Sequence, residues 1–260
     1  MSPAEVVDRM SAITTSLMVC ACVFGGALFG MFLRSVLPEH HLTADSKSTM
    51  NLGMGLIGTM SGIALGLLVA SAAGKYDTQK NELTKMSADL VMLDRVLAHY
   101  GSETKESRDL LRGTVARILD RIWPKDRSQG VKLDPAGSGG ESMYDEIQQL
   151  SPQDDAQHYL KAQALTIAMD IGRTRWLMYE QGNVPLPWAL MAVVVFWLTI
   201  VFISFGLHAP RNATVVGVLF LCALSVSGAI FLILEMYTPF GGLIHISSTT
   251  LRDALAQLGR

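Results

Sequence analysis

Residues 48–74 read STMNLGMGLIGTMSGIALGLLVASAAG, 27 residues without one Asp, Glu, Lys or Arg. A helix needs about 20 apolar residues, rising about 1.5 Å each, to cross the hydrocarbon of a bilayer. Working outward, 10–33, 181–210 and 212–234 are equally free of charge over 24, 30 and 23 residues. Their apolar centres are 13–37, 51–74, 188–207 and 213–234. The chain is therefore expected to be an all-α integral membrane protein with four transmembrane helices. The first span reads as a retained helix. Its apolar run is longer than a typical leader core, and Glu5 and Asp8 stand beside Arg9 at its head. The loop His208-Ala209-Pro210-Arg211-Asn212 is short enough to force spans three and four into an antiparallel hairpin.

Composition agrees. Half of the 260 residues are hydrophobic and 17% are charged, where a soluble domain carries about a quarter charged. The net charge of −2 offers no basic surplus for nucleic acid. Between spans two and three, residues 75–180 hold 15 of the 21 Lys and Arg and 17 of the 23 acidic residues. Lys75, Lys80 and Lys85 directly follow span two, and Arg173 and Arg175 precede span three. The positive-inside bias then places this insert and both termini in the cytoplasm of a multi-pass cell-membrane protein. The expected organisation is 1–75 as transmembrane helices one and two, 76–184 as a cytoplasmic helical region with a flexible loop at 125–140, 185–236 as the hairpin of helices three and four, and 237–260 as a cytoplasmic turn and short helix.

The insert reads as helical. Leu83, Met86, Leu90, Leu93, Leu97 and Tyr100 recur at steps of three and four, a heptad seam. It suits packing within the chain, an oligomer contact or the wall of a cytoplasmic vestibule. No Pro lies between Asn51 and Tyr100, so span two is expected to run on as one rod of about 75 Å at 1.5 Å per residue. Gly101 ends it and Ser102 is expected to cap the next helix, which shows Leu111, Val115, Ile118, Leu119 and Ile122 on one side and stops at Trp123-Pro124. A short helix is expected over 141–150. A long one should open at Ser151-Pro152 and run to about Gln181. Leu251, Ala254, Leu255 and Leu258 mark a final helix capped by Ser248, Thr249 or Thr250.

Few residues carry chemistry. Cys20, Cys22 and Cys222 lie in apolar runs and read as small core residues. His40-His41 is too small a set for a metal site. No catalytic motif and no cofactor signature occurs, so neither an enzyme nor a cofactor is expected. Span two is the exception. Gly55, Thr59, Gly62 and Gly66 share a face, although Gly costs about 1 kcal/mol inside a helix. In membranes such small residues let helices pack closely, which assigns Gly55, Gly62 and Gly66 to helix packing. Thr59, Ile63 and Leu67 follow each other at four-residue steps. If copies of this helix surround an axis, these three form stacked rings, and apolar rings gate ions by dewetting. Glu235 ends span four, as a functional carboxylate or as an interfacial residue reaching water. Pro239, Phe240 and Gly241 then form a sharp turn.

Leu37-Pro38-x-x-His41-Leu42, Leu65-Gly66-Leu67-Leu68-Val69-Ala70 with Tyr76-Asp77, Leu93-Asp94-Arg95 with Tyr100-Gly101, and Pro239-Phe240-Gly241-Gly242 together resemble the bacterial bestrophin-like domain family over nearly the whole chain. A fainter likeness reaches the bestrophin channels proper, through Leu65-Gly66, Lys75, Gln79 and Leu83 and through the turn at Pro239-Phe240-Gly241. Bestrophins are pentameric anion channels, and the resemblance puts their three neck positions on Thr59, Ile63 and Leu67. Two departures stand out. Gly242-Leu243-Ile244-His245-Ile246 lacks the acidic cluster of the calcium-regulated members, and Ca²⁺ needs several oxygen ligands. Thr59 replaces a bulky apolar neck residue.

The resemblance implies a homo-oligomeric, pentameric channel for small inorganic anions such as chloride, lined by span two. Its expected partners are the bilayer and further copies of itself. A second reading is a non-conducting scaffold or sensor that docks partners through the heptad seam. A third, a proton-driven motor subunit, finds only Thr199, Ser204, Ser225 and Ser227 as polar groups in spans three and four and ranks last.

Overall fold

The computed structural model describes residues 3–36, 44–124, 140–182, 184–210 and 212–259. The expectations at His40-His41, at the motif from Leu37 to Leu42 and along most of the 125–140 loop lie outside these residues. Among the described residues the regular elements are helices: α1 (Pro3–Val36), α2 (Ala44–Tyr100), α3 (Lys105–Ile122), α4 (Gly140–Gln149), α5 (Asp155–Gly182), α6 (Trp188–His208), α7 (Ala213–Tyr237) and α8 (Thr249–Gln257). Four of them, α1, α2, α6 and α7, are long and apolar enough to cross a membrane.

The chain forms two compact units. One gathers Val7–Gly74 and Pro185–Tyr237, the other Met1–Val6, Lys75–Val184 and Thr238–Arg260. We call them the membrane unit and the polar unit. α2 contributes its apolar half to the first and its heptad half to the second.

In the membrane unit α1 buries one helical stripe, Ala12, Ser16, Val19, Val23, Ala27 and Met31. α1 and α6 run parallel and touch backbone to backbone. A Cβ added at Gly30 would fall on the Ile203 carbonyl, and one at Gly206 on the Ala27 carbonyl. At Gly26 it would lie 3.0 Å from Thr199 Cγ2. The Arg34 guanidinium closes this contact by donating to the carbonyls of His208 and Ala209. α7 lies antiparallel to α1, with Ser227 Oγ donating to Ser16 O at 2.5 Å and Phe24 edge-on to Phe220 at 5.3 Å.

In the polar unit every seam residue from Leu83 to Tyr100 is buried. The seam packs against α3, α4, α5 and the C-terminal segment of the same chain, which excludes it as a free oligomer contact. Gln79, fully buried, donates to Met178 O at 3.1 Å, and the Gln157 side chain donates to Tyr100 O at 3.1 Å, so α5 runs antiparallel to α2.

Two caps differ from expectation, and a third agrees in position but not in its bonding. Ser102 opens a 3₁₀ turn, Ser102–Thr104, without capping α3. Thr104 lies inside that turn and sends its hydroxyl back to Leu97 O and Gly101 O at 2.5 and 2.8 Å. The turn is possible because Gly101 sits at φ 141°, which side chains rarely adopt. α5 begins four residues beyond Ser151, where Asp154 Oδ1 accepts from Gln157 N at 2.7 Å, a carboxylate being the stronger cap acceptor. At α8 Ser248 holds the N-cap position, as one of the three expected residues, but it makes no side-chain cap bond, and Ser247 Oγ accepts from Thr249 N at 3.2 Å.

Candidate functional site: the exposed face of α2

The apolar half of α2 is anchored by a narrow stripe. Ser61, Leu68 and Ala72 are buried, and at 3.6 residues per turn they lie roughly opposite Thr59. Ala64, Leu65 and Val69 flank this stripe half-buried, and the face beyond them is bare. Leu52, Leu56, Met60, Ile63 and Leu67 are all exposed, the last two at 61% and 65%. Only 11% of the α2 span is buried, against 44%, 39% and 28% for α1, α6 and α7. An apolar helix that its own chain covers so little must be covered by lipid or by other copies.

Thr59, Ile63 and Leu67 stand together on this bare face. The Thr59 hydroxyl donates to Gly55 O at 2.8 Å. Its proton is thereby spent on the helix backbone, and what it offers outward is an oxygen acceptor beside a methyl group. Gly55, Gly62 and Gly66 lie on the adjoining strip, and an added Cβ at any of them would meet nothing within 4 Å. None of the three is held in a close contact within this chain, although Gly55 and Thr59 line a cleft that faces Val201, Ser204, Phe205 and His208 of α6. The backbone contacts that do demand glycine are those of Gly26, Gly30 and Gly206, which sequence reading passed over. The signal was there in the four-residue step from Gly26 to Gly30, opposite small Gly206 in α6, but nothing paired those two helices.

The Pro239-Phe240-Gly241 turn belongs to the polar unit and is a structural plug. Phe240 is buried and meets Trp123 edge-on at 5.8 Å. Trp123 Nε1 donates to Ile246 O at 3.0 Å, and Ile246 N donates to Pro239 O at 2.7 Å. Gly241 N and Gly242 N both take Thr238 O, so the backbone groups are satisfied internally. Glu235, in the membrane unit, is buried at 4% exposure and does not reach out to water. Cys22 and Cys222 are exposed on their helices, not core residues, because apolar surface in a span need not face protein. Lys75 Nζ donates to Val184 O at 2.9 Å.

Asp94 is a buried junction that the sequence marked only as part of a motif. It is 1% exposed, takes Arg108 through both oxygens at 2.8 and 3.0 Å, and accepts Gly259 N at 3.2 Å. One carboxylate thus ties α2, α3 and the residues after α8.

The sequence profile of the Bestrophin-like domain matches residues 21–251. The chain belongs to the bestrophin-like domain family. Its fold is also that of a crystallised bacterial bestrophin homologue from Klebsiella pneumoniae carrying one mutation, with a TM-score of 0.66 at 15% identity, over 94% of this chain and 99% of that one. None of the curated proteins matches significantly. This bestrophin-like chain is a membrane protein with the four-span, helical architecture its charge-free intervals required.

Proposed function

We propose that this bestrophin-like protein is a homo-oligomeric, pentameric anion channel, permeable to chloride, in which α2 lines the conduit. The supporting observation is the bare α2 face. Thr59, Ile63 and Leu67 project from the least covered span of the chain. Around a symmetry axis they become three rings, one of hydroxyl acceptors and methyls and two of branched aliphatics. Ile63 and Leu67 would then close the passage by excluding water, while Thr59 leaves its own ring partly wettable. The open strip at Gly55, Gly62 and Gly66 would receive the α2 of the neighbouring copy, as small-residue faces do in membranes. The polar unit and both termini face the cytoplasm, from the excess of Lys and Arg in the insert.

The heptad seam cannot serve a scaffold as a docking surface, since it is consumed in the polar unit's own core. The deciding experiment is chloride flux from liposomes holding the purified protein. Ile63→Ala and Leu67→Ala should raise flux several-fold by widening the dry rings. Flux equal to the parent in both variants would remove the neck assignment, and no flux in any variant would remove the channel.

A further inference from the structure

Between α2, α3, α4 and α5 the polar unit keeps a cavity of about 270 Å³. That is at the small end of ligand pockets. Its floor is apolar, formed by Met86, Leu90 and Leu93 of the seam with Leu111, Ile118 and Met143. Gly172 of α5 stands in the wall, and a Cβ there would meet nothing within 4 Å. A glycine inside a helix is a poor helix former. Here no neighbour presses close enough to require it, and its effect is to keep the cavity open.

The rim carries both signs of charge. Asp145 comes from α4 and Arg175 from α5, with the Trp176 ring alongside. Asp145 makes no ion pair among the described residues. Arg175 already has an interaction, but a guanidinium has five N–H donors and can serve a second acceptor.

We propose that this cavity binds a free amino acid with an apolar side chain. The side chain lies on the methionine and leucine floor, the α-ammonium donates to Asp145, and the α-carboxylate accepts from Arg175. A plain acid would bring a second negative charge to Asp145, and a plain amine a second positive charge to Arg175. Only a zwitterion with an apolar body complements floor and rim together. The inference stands apart from the pore, because it is read at equilibrium without ion flux.

The test is calorimetric titration of the full-length protein in lipid nanodiscs with L-tryptophan, L-phenylalanine and L-leucine. Indole-3-propionate (no amine) and tryptamine (no carboxylate) serve as comparators. At least one of the amino acids should bind saturably, one per chain, and raise the unfolding temperature. The two comparators should bind at least tenfold more weakly than L-tryptophan. Gly172→Leu fills the cavity with a better helix former, so it should abolish binding without lowering the unfolding temperature of the empty protein. Asp145→Asn should weaken amino-acid binding tenfold or more while strengthening that of indole-3-propionate, whose repulsion by Asp145 it removes. Absence of saturable binding by all three amino acids, unchanged binding in Gly172→Leu, or a comparator that binds as well as L-tryptophan would each overturn the proposal.

Discussion

Asp94 and Asp89 show what a carboxylate costs or contributes according to its partners. Asp94 is fully paired by Arg108 and Gly259 N. Removing one member of a buried ion pair leaves the other uncompensated, at about 3–5 kcal/mol. Arg108→Met, which strands the 1%-exposed Asp94 carboxylate, is therefore expected to lower the unfolding temperature of the solubilised protein sharply, and Asp94→Ala to do so less, because the Arg108 left behind is 21% exposed and can reach water. Asp89, nearby on α2, has a buried Oδ2 with no partner. Burial first, and to a smaller extent the Asp170 charge, raises its pKa above the usual 3.8, partly offset by Lys85. A carboxyl raised in the folded state favours folding when protonated, so its ionisation opposes folding above the raised value, and that opposition fades as pH falls toward 3.8. Asp89→Asn should stabilise the protein at pH 7, with a gain that shrinks toward pH 4. A gain that is equal at both pH values would show that Asp89 ionisation is not its source.

Among the elements, α1 and α6 depend on glycine where α2 does not. Gly30 and Gly206 sit where any Cβ would strike the facing backbone. Forcing atoms into such a contact costs about 1–3 kcal/mol or more. Gly206→Val should cut the yield of monodisperse protein severely. Gly62→Ala, with open space around it, should leave the fold of each chain intact and gain helix propensity of about 1 kcal/mol. If that glycine strip seats a neighbouring α2, a bulkier Gly62→Leu should instead reduce the oligomeric fraction in size-exclusion chromatography while the chain stays folded. Equal damage from Gly206→Val and Gly62→Ala would contradict the packing described for both helices.

For the whole molecule, the bare α2 face decides between lipid and a shared axis. In a background with Cys20, Cys22 and Cys222 replaced by Ala, Ile63→Cys should form disulfides between copies, because ring residues around a narrow axis approach one another. Val218→Cys on the exposed side of α7 should not. Cross-linking that appears only through α7 would place another helix at the axis.

The four spans were legible from residues alone, because a bilayer tolerates a helix only where charge is absent for about 20 residues. The helical insert was legible too, since steps of three and four make the seam from Leu83 to Tyr100 whatever it packs against. The tertiary structure alone decided which glycines hold helices together. Gly62 and Gly30 look alike in a sequence, and only the position of a facing backbone tells a required contact from open space. It alone buried the seam within the chain, brought Gly259 from the far end of the chain to the Asp94–Arg108 pair, and left one face of α2 uncovered. Each of these depends on which surfaces meet across long sequence separations, and periodicity carries no record of that.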